Sequence, residues 1–197
     1  MRLFDPTRPL LVLAAAAILA ATSPLAAQER PLVVLDPGHG GDANQVILGD
    51  IQEKDLMLRV AFAMGAVFVE AGYDVHFTRT RDHDVPWDQR RSQAEDAGAV
   101  ALIMLHAMSS EDPADSGAEI YHDPGDGLST AFSNAAAREL RALGSDVLVD
   151  PRPDWPFLQS RSVPTTMIEL AHLTNPTDQA NMLDPAYHQR LGRAMVA

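Results

Sequence analysis

Two short runs in this chain are apolar along their whole length, a third is so but for one threonine, and each ends on an ionisable residue. Leu32-Val33-Val34-Leu35 runs into Asp36, Ala101-Leu102-Ile103-Met104-Leu105 into His106, and Thr166-Met167-Ile168 into Glu169. A strand that is apolar on both sides must be covered on both sides, as in the interior of a parallel sheet. Stretches with helical spacing separate the runs. Leu56, Val60, Met64 and Val67 recur at that spacing, and Gly72 is a stop signal. The pattern predicts strands at 31–36, 73–78, 100–105, 118–121, 147–149 and 165–170. It predicts helices from 52 or 53 to 71, at 86–97, at 128–143 and from Pro185 onward. Alternation of this kind specifies an α/β fold: a single domain with an open, mostly parallel sheet covered by helices on both faces. No repeat, low-complexity tract or long linker divides the chain into two domains.

Sites in such sheets form in the crevice beyond the carboxyl ends of the strands. His39, in Asp36-Pro37-Gly38-His39-Gly40-Gly41, lies just past the first apolar run. His106 and Glu169 end two others, and Glu53 opens a predicted helix. Each has an ordinary alternative when taken alone. His39 suits a turn, and Glu53 suits a helix start, where the dipole favours a carboxylate. His106 suits a hydrogen-bonded core, and Glu169 suits a salt bridge to Arg79 or Arg161. Delivery of all four to one rim from distant parts of the sequence outweighs those readings. Two histidines and a glutamate form a zinc site with a position open for water, and a further carboxylate is what activates that water. Asp36 serves either to orient a ligand or to cap the following loop. His76 is expected to be structural, and His83 and His188 to be on the surface. His122 and His172 are minor candidates for the rim.

The first 27 residues read as a leader rather than as part of the fold. Arg2 and Arg8 precede an apolar run from Leu10 to Ala21, and small residues follow up to Ala27. That order matches a secretory signal peptide. The run is shorter than the roughly 20 residues of a membrane span. Residues 1–27 are therefore expected to be cleaved, leaving no stable membrane anchor, and 31–197 to form the catalytic domain. The formal net charge of −12 argues against nucleic acid as a partner. The chain has no cysteine, so any metal is held by histidine and carboxylate.

Taken together, these segments resemble the zinc-dependent N-acetylmuramoyl-L-alanine amidases of the amidase-3 family of cell-wall hydrolases. The matching stretches are Val34 to Gly41, Glu53-Lys54-Asp55-Leu56, Thr78-Arg79-Thr80-Arg81-Asp82 and Ile103 to Ala107. Gly117 to Tyr121, Pro164 to Leu170 and Asn175 complete the set, in the family's order. The resemblance implies that His39, Glu53 and His106 bind Zn2+ and that Glu169 is catalytic. It implies a peptidoglycan substrate, cut at the amide between N-acetylmuramic acid and L-alanine; the leader points to the periplasm or cell envelope, and a monomer is the default expectation. Two departures stand out. Met108 replaces the family's usual Asn, and Ala171-His172 replaces Gly-Phe. Both leave the four chemical residues in place. Some family members need a protein activator to displace a blocking helix. The stretch from Asp123 to Pro164 has room for one ordinary helix and a Pro-rich loop, so strong autoinhibition is not expected. The alternatives are a degenerate amidase-like domain that binds wall or partner without cutting, and a zinc peptidase acting on another amide.

Overall fold

The computed structural model describes residues 30–197 except Asn44 and Arg161. The expected leader at 1–27 lies outside the described residues. In chain order the elements are β1 (Leu32–Pro37), β2 (Ile47–Leu48), β3 (Ile51–Gln52), α1 (Glu53–Glu70), β4 (Asp74–Phe77), α2 (Trp87–Asp96) and β5 (Ala101–Met108). They continue with β6 (Ala118–His122), α3 (Gly127–Ala142), β7 (Val147–Pro151), a 3-10 turn (Pro156–Leu158), β8 (Thr165–His172), α4 (Pro176–Leu183) and α5 (Pro185–Val196).

The sheet runs β4-β1-β5-β8-β6-β7. Every pairing is parallel except β6 with β8, and β2 and β3 form a separate antiparallel hairpin. The apolar runs occupy the central strands β1, β5 and β8, as burial on two faces requires. Alternation along these strands divides the core. Leu35, Ile103, Leu105 and Ile168 pack in the larger cluster, with Met57, Met64, Leu140 and Leu191 of α1, α3 and α5. Val34, Leu102, Met104 and Met167 point the other way, to a smaller cluster with Ala94 of α2 and Leu158 of the 3-10 turn. Those three helices, with α4 through Met182, therefore cover one face. The second face has only α2 and the turn over it, which leaves room there for a cleft.

The sequence reading places these strands and helices to within a few residues. It misses the β2–β3 hairpin, the 3-10 turn and α4, all short. The start of α4 has a capping signal, since the Asn175 side chain accepts from Thr177 N–H and Asp178 N–H and Pro176 occupies the first turn. His188 corrects an expectation. It is buried, with Nε2 2.7 Å from the Met182 carbonyl, rather than on the surface. His76 is exposed and pairs with Gln93 at 2.9 Å. Among the described residues no helix is long and apolar enough to cross a membrane.

Candidate metal centre and catalytic cleft

β1, β5 and β8 end side by side, and the side chains of His106 and Glu169 sit in register across the β5–β8 pair. By the alternation that divides the core, both project to the thinly covered face. His39 follows β1 in a tight loop and Glu53 is the first residue of α1. Three atoms from three segments meet there. His39 Nε2 is 2.9 Å from Glu53 Oε1, His106 Nδ1 is 3.3 Å from the same oxygen, and the two ring nitrogens are 3.1 Å apart.

The loop that carries His39 is built against strong constraints. His39 itself has φ 60°, a left-handed conformation that costs a non-glycine residue energy and persists only where surroundings enforce it. Gly38 is needed for space. A Cβ there would lie 2.4 Å from the His106 ring. Two buried arginines hold the backbone. Arg79 donates to the carbonyls of Pro37 (2.8 Å), Gly38 (2.7 Å) and Lys54 (2.7 Å). Arg90 donates to those of Pro37 (3.0 Å) and His39 (2.7 Å), and forms a 2.6 Å ion pair with Asp36. Lys54 Nζ reaches the Gly41 carbonyl at 2.8 Å and Asp82 at 2.9 Å.

Asp36 accordingly contacts neither histidine. It accepts from Thr78 and Arg90 and fixes the loop through them. The alternative reading of Glu169, an ion pair with Arg79, does not form, because the Arg79 donors are spent on backbone carbonyls. Arg161 lies outside the described residues.

The two glutamates are in opposite electrostatic states. Burial would raise the Glu53 carboxyl, but hydrogen bonds with His106, His39 and the Val46 N–H outweigh it and hold the pKa at about 2. Its Oε1 also accepts from Ala107 N–H at 3.0 Å. Glu169 has no such donors. Burial first, then the negative charges of Glu53 and Glu119, push it up to about 8. Glu169 Oε2 is enclosed and has no hydrogen-bond partner, and neither does His106 Nε2.

This donor set fits a metal ion. In a tetrahedral zinc shell with bonds of about 2.0–2.2 Å, neighbouring donor atoms stand roughly 3.3–3.5 Å apart, close to the triangle observed. Two imidazole nitrogens facing each other beside one carboxylate oxygen are more naturally lone-pair donors to a shared cation than a proton-sharing trio. His39, Glu53 and His106 form the only such group of ligand atoms among the described residues. His122 and His172 do not join it. His122 alternates with Tyr121 toward the face covered by α3, and burial lowers its pKa. His172 lines a separate cavity with Glu119.

The cleft around the triangle has a volume of about 480 Å3, and Trp87, Met108, Trp155 and Phe157 line it together with the four predicted site residues. Sequence reasoning passed over the aromatic residues and Glu119. Trp155 and Phe157 flank Pro156 in the loop after β7, and aromatics in a Pro-rich loop are a usable signal. Glu119 faces Glu169 across the antiparallel β6–β8 pair and accepts a hydrogen bond from the Tyr121 hydroxyl. Only the topology reveals that placement. The stretch 123–164 supplies α3, β7 and the 3-10 turn.

Comparison with known proteins identifies the family of this fold. The Amidase_3 family model, described as N-acetylmuramoyl-L-alanine amidase, matches residues 33–197. The chain is 26% identical to N-acetylmuramoyl-L-alanine amidase AmiA of Salmonella typhimurium, over 84% of this chain and 74% of that one. Among solved structures it resembles AmiC2 of Nostoc punctiforme, with a TM-score of 0.75 and 25% identity over 84% of this chain and 93% of that one. The fold is also that of the CwlD amidase of Clostridioides difficile, solved in complex with the GerS lipoprotein. There the TM-score is 0.78 at 20% identity, over 85% of this chain and 95% of that one. A match across the described domain, with the ligand triangle and Glu169 at one rim, places this chain in the Amidase_3 family of N-acetylmuramoyl-L-alanine amidases.

Proposed function

We propose that His39 Nε2, Glu53 Oε1 and His106 Nδ1 hold one zinc ion, and that Glu169 is the general base in hydrolysis of the amide between N-acetylmuramic acid and L-alanine of peptidoglycan. The observation that carries this reading is the ligand triangle, with edges of 2.9–3.3 Å, in the same cleft as a carboxylate oxygen that lacks any partner. A zinc ion bound there supplies a water of lowered pKa, polarises the scissile carbonyl and, by its charge, favours the ionised form of Glu169. The Glu169 carboxylate takes the proton of the attacking water and later delivers it to the leaving L-alanine nitrogen. Glu53 and the Arg79–Arg90 scaffold keep the histidines in place while this happens. The half-covered sheet face leaves the cleft open to a polymer. With residues 1–27 acting as a secretory leader and 31–197 as the catalytic domain, the enzyme works in the periplasm or cell envelope.

The test is mass spectrometry of the soluble products after the zinc-loaded protein is incubated with peptidoglycan. Free stem peptides beginning at L-alanine, absent with Glu169→Gln although that variant retains zinc, are the expected result. Fragments beginning at any other residue, or no release from a protein that holds zinc, would overturn the reading.

A further inference from the structure

The chemistry above leaves three aromatic side chains of the cleft, Trp87, Trp155 and Phe157, without a task, and Tyr121 extends their series. Their rings follow one another in space. Trp87 and Phe157 stack at 4.5 Å between centroids, Phe157 and Trp155 lie at 5.3 Å, and Trp155 and Tyr121 at 4.9 Å. At its inner end the track reaches the metal centre, since Trp87 lies 5.7 Å from the ring of His106 with planes 20° apart. Three separate elements contribute: the start of α2, the 3-10 turn and β6.

Core packing does not account for the arrangement. Tyr121, Trp155 and Phe157 do rest on the smaller core, but Trp87 is 42% exposed and Trp155 and Phe157 are half-buried along the cleft. The chain is poor in aromatics, and both of its tryptophans are in this one track. The loop that presents them is anchored in advance. The Arg152 N–H donates to the His122 carbonyl at 2.8 Å, Gln159 to the Pro153 carbonyl at 2.6 Å and Arg91 to the Pro156 carbonyl at 3.0 Å. A surface ordered before binding loses little entropy when it is occupied.

Charge decides between the two arms of the substrate. The chain as a whole carries −12, and Glu119 adds a carboxylate beside the reaction centre, opposite Glu169. The carboxylates of a stem peptide are disfavoured beside such a field. Arg152 lies over Trp155 at 4.4 Å, but its charge is paired with Asp150 at 3.4 Å. The amidated N-acetylmuramic acid and its N-acetylglucosamine neighbour are uncharged and offer apolar C–H faces that lie flat on aromatic rings. We propose that Trp87, Phe157 and Trp155 form a sugar-stacking subsite for the glycan next to the scissile amide, with the stem peptide directed away from it. The assignment of the sugar to this subsite rests on the amidase reading above.

Two measurements test it. With both tryptophans in the track, intrinsic fluorescence reports on the subsite directly and needs no turnover. A peptide-free N-acetylglucosamine tetramer is expected to change the emission saturably, and free stem peptide to do so at least about tenfold more weakly. A stronger response to the peptide, or no saturable response to the sugar, overturns the proposal. The second measurement is the ratio of kcat/KM for a disaccharide-peptide over that for a lactyl-peptide without the sugar ring. Trp155→Ala and Phe157→Ala are expected to lower this ratio about tenfold, the scale of a lost apolar pocket contact, with Phe157→Tyr restoring it. An equal loss on both substrates makes the residues structural and overturns the proposal. If the unmodified protein cuts neither substrate, the amidase reading fails, and the fluorescence titration still decides whether the track takes sugar or peptide.

Discussion

The two walls of the cleft are built from the same residue types in opposite ways. On the β1–α1 wall, the carbonyls of Pro37, Gly38 and His39 each accept from a buried arginine, and Glu53 accepts from Val46 N–H and Ala107 N–H. On the β8–β6 wall, Glu169 Oε2 is enclosed without a partner and faces a second carboxylate, Glu119. One glutamate is held at about 2 and the other is pushed to about 8. The identity of the residue does not set its role. Donors around Glu53 commit it to permanent charge, which suits a ligand. Their absence around Glu169 leaves its protonation open to change, which suits a group that must take up and release a proton.

The largest effects should follow this division. Glu169→Gln keeps shape and hydrogen-bonding capacity but removes the base, so the amidase rate is expected to fall about 10²–10⁴-fold while zinc content by atomic absorption stays unchanged. Glu53→Gln should do the reverse at the metal, with zinc lost on dialysis. If Glu169→Gln sheds zinc as readily as Glu53→Gln, the walls do not differ in the way described.

Next in size is the scaffold itself. Arg90→Met leaves Asp36 buried with its charge unopposed. Breaking one partner of a buried pair costs about 3–5 kcal/mol, and urea unfolding should register a loss of that order. Asp36→Asn combined with Arg90→Met should recover part of it. A loss well under 1 kcal/mol for Arg90→Met would mean that the loop does not depend on this pair.

The difference between the walls also marks what could be read from the chain beforehand. β1 and β5 were legible because four or five consecutive apolar residues can be buried only between two layers, and β8 because Met167-Ile168 sits in a short β-prone stretch. His39, His106 and Glu169 were legible because each interrupts or follows such a run, and Glu53 because it opens a strongly periodic helix. Buried polar partnerships were not. Nothing local to Arg79 or Arg90 says that their guanidinium groups turn inward onto the carbonyls of residues 37–39. Neighbours created by strand order were hidden for the same reason. Glu119 and Glu169 are 50 positions apart and meet only through the one antiparallel pairing. His188 failed because its partner, the Met182 carbonyl, belongs to a short helix whose capping signal at Asn175 went unused.

A pH series on the metal-free protein sharpens the contrast further. The folded-state pKa of Glu169 is raised, so its contribution to stability is complete below about 4.5 and is lost as pH rises through about 8. The folded-state pKa of Glu53 is depressed, so its contribution is present above about 4.5 and is lost as pH falls toward 2. Within each window the slope is at most about 1.4 kcal/mol per pH unit. Glu169→Gln should flatten the thermal-melting profile between pH 4.5 and 8 and leave the acid limb intact, while Glu53→Gln should flatten the acid limb and, by removing one of the charges that raise Glu169, only shorten the other. Loss of both limbs in either variant would show that the two carboxylates titrate as one coupled unit rather than as members of separate walls.

The smallest effect tests how finely the ligand wall is supported. Thr78 donates to the same Asp36 oxygen that Arg90 engages. Thr78→Val removes that hydroxyl with little change of shape, while the Arg90 pair stays. Hydrogen bonds to charged groups are worth about 1.5–3 kcal/mol. The remaining ion pair keeps Asp36 compensated, so the expected loss is at the low end, about 1.5 kcal/mol by urea unfolding. Zinc affinity should be nearly unchanged, because the carbonyls of Pro37 and His39 still accept from Arg90. If zinc affinity instead falls as far as it does with Arg90→Met, the hydroxyl rather than the guanidinium sets the loop, and the β1–α1 wall is held from the β4 side instead of from α2.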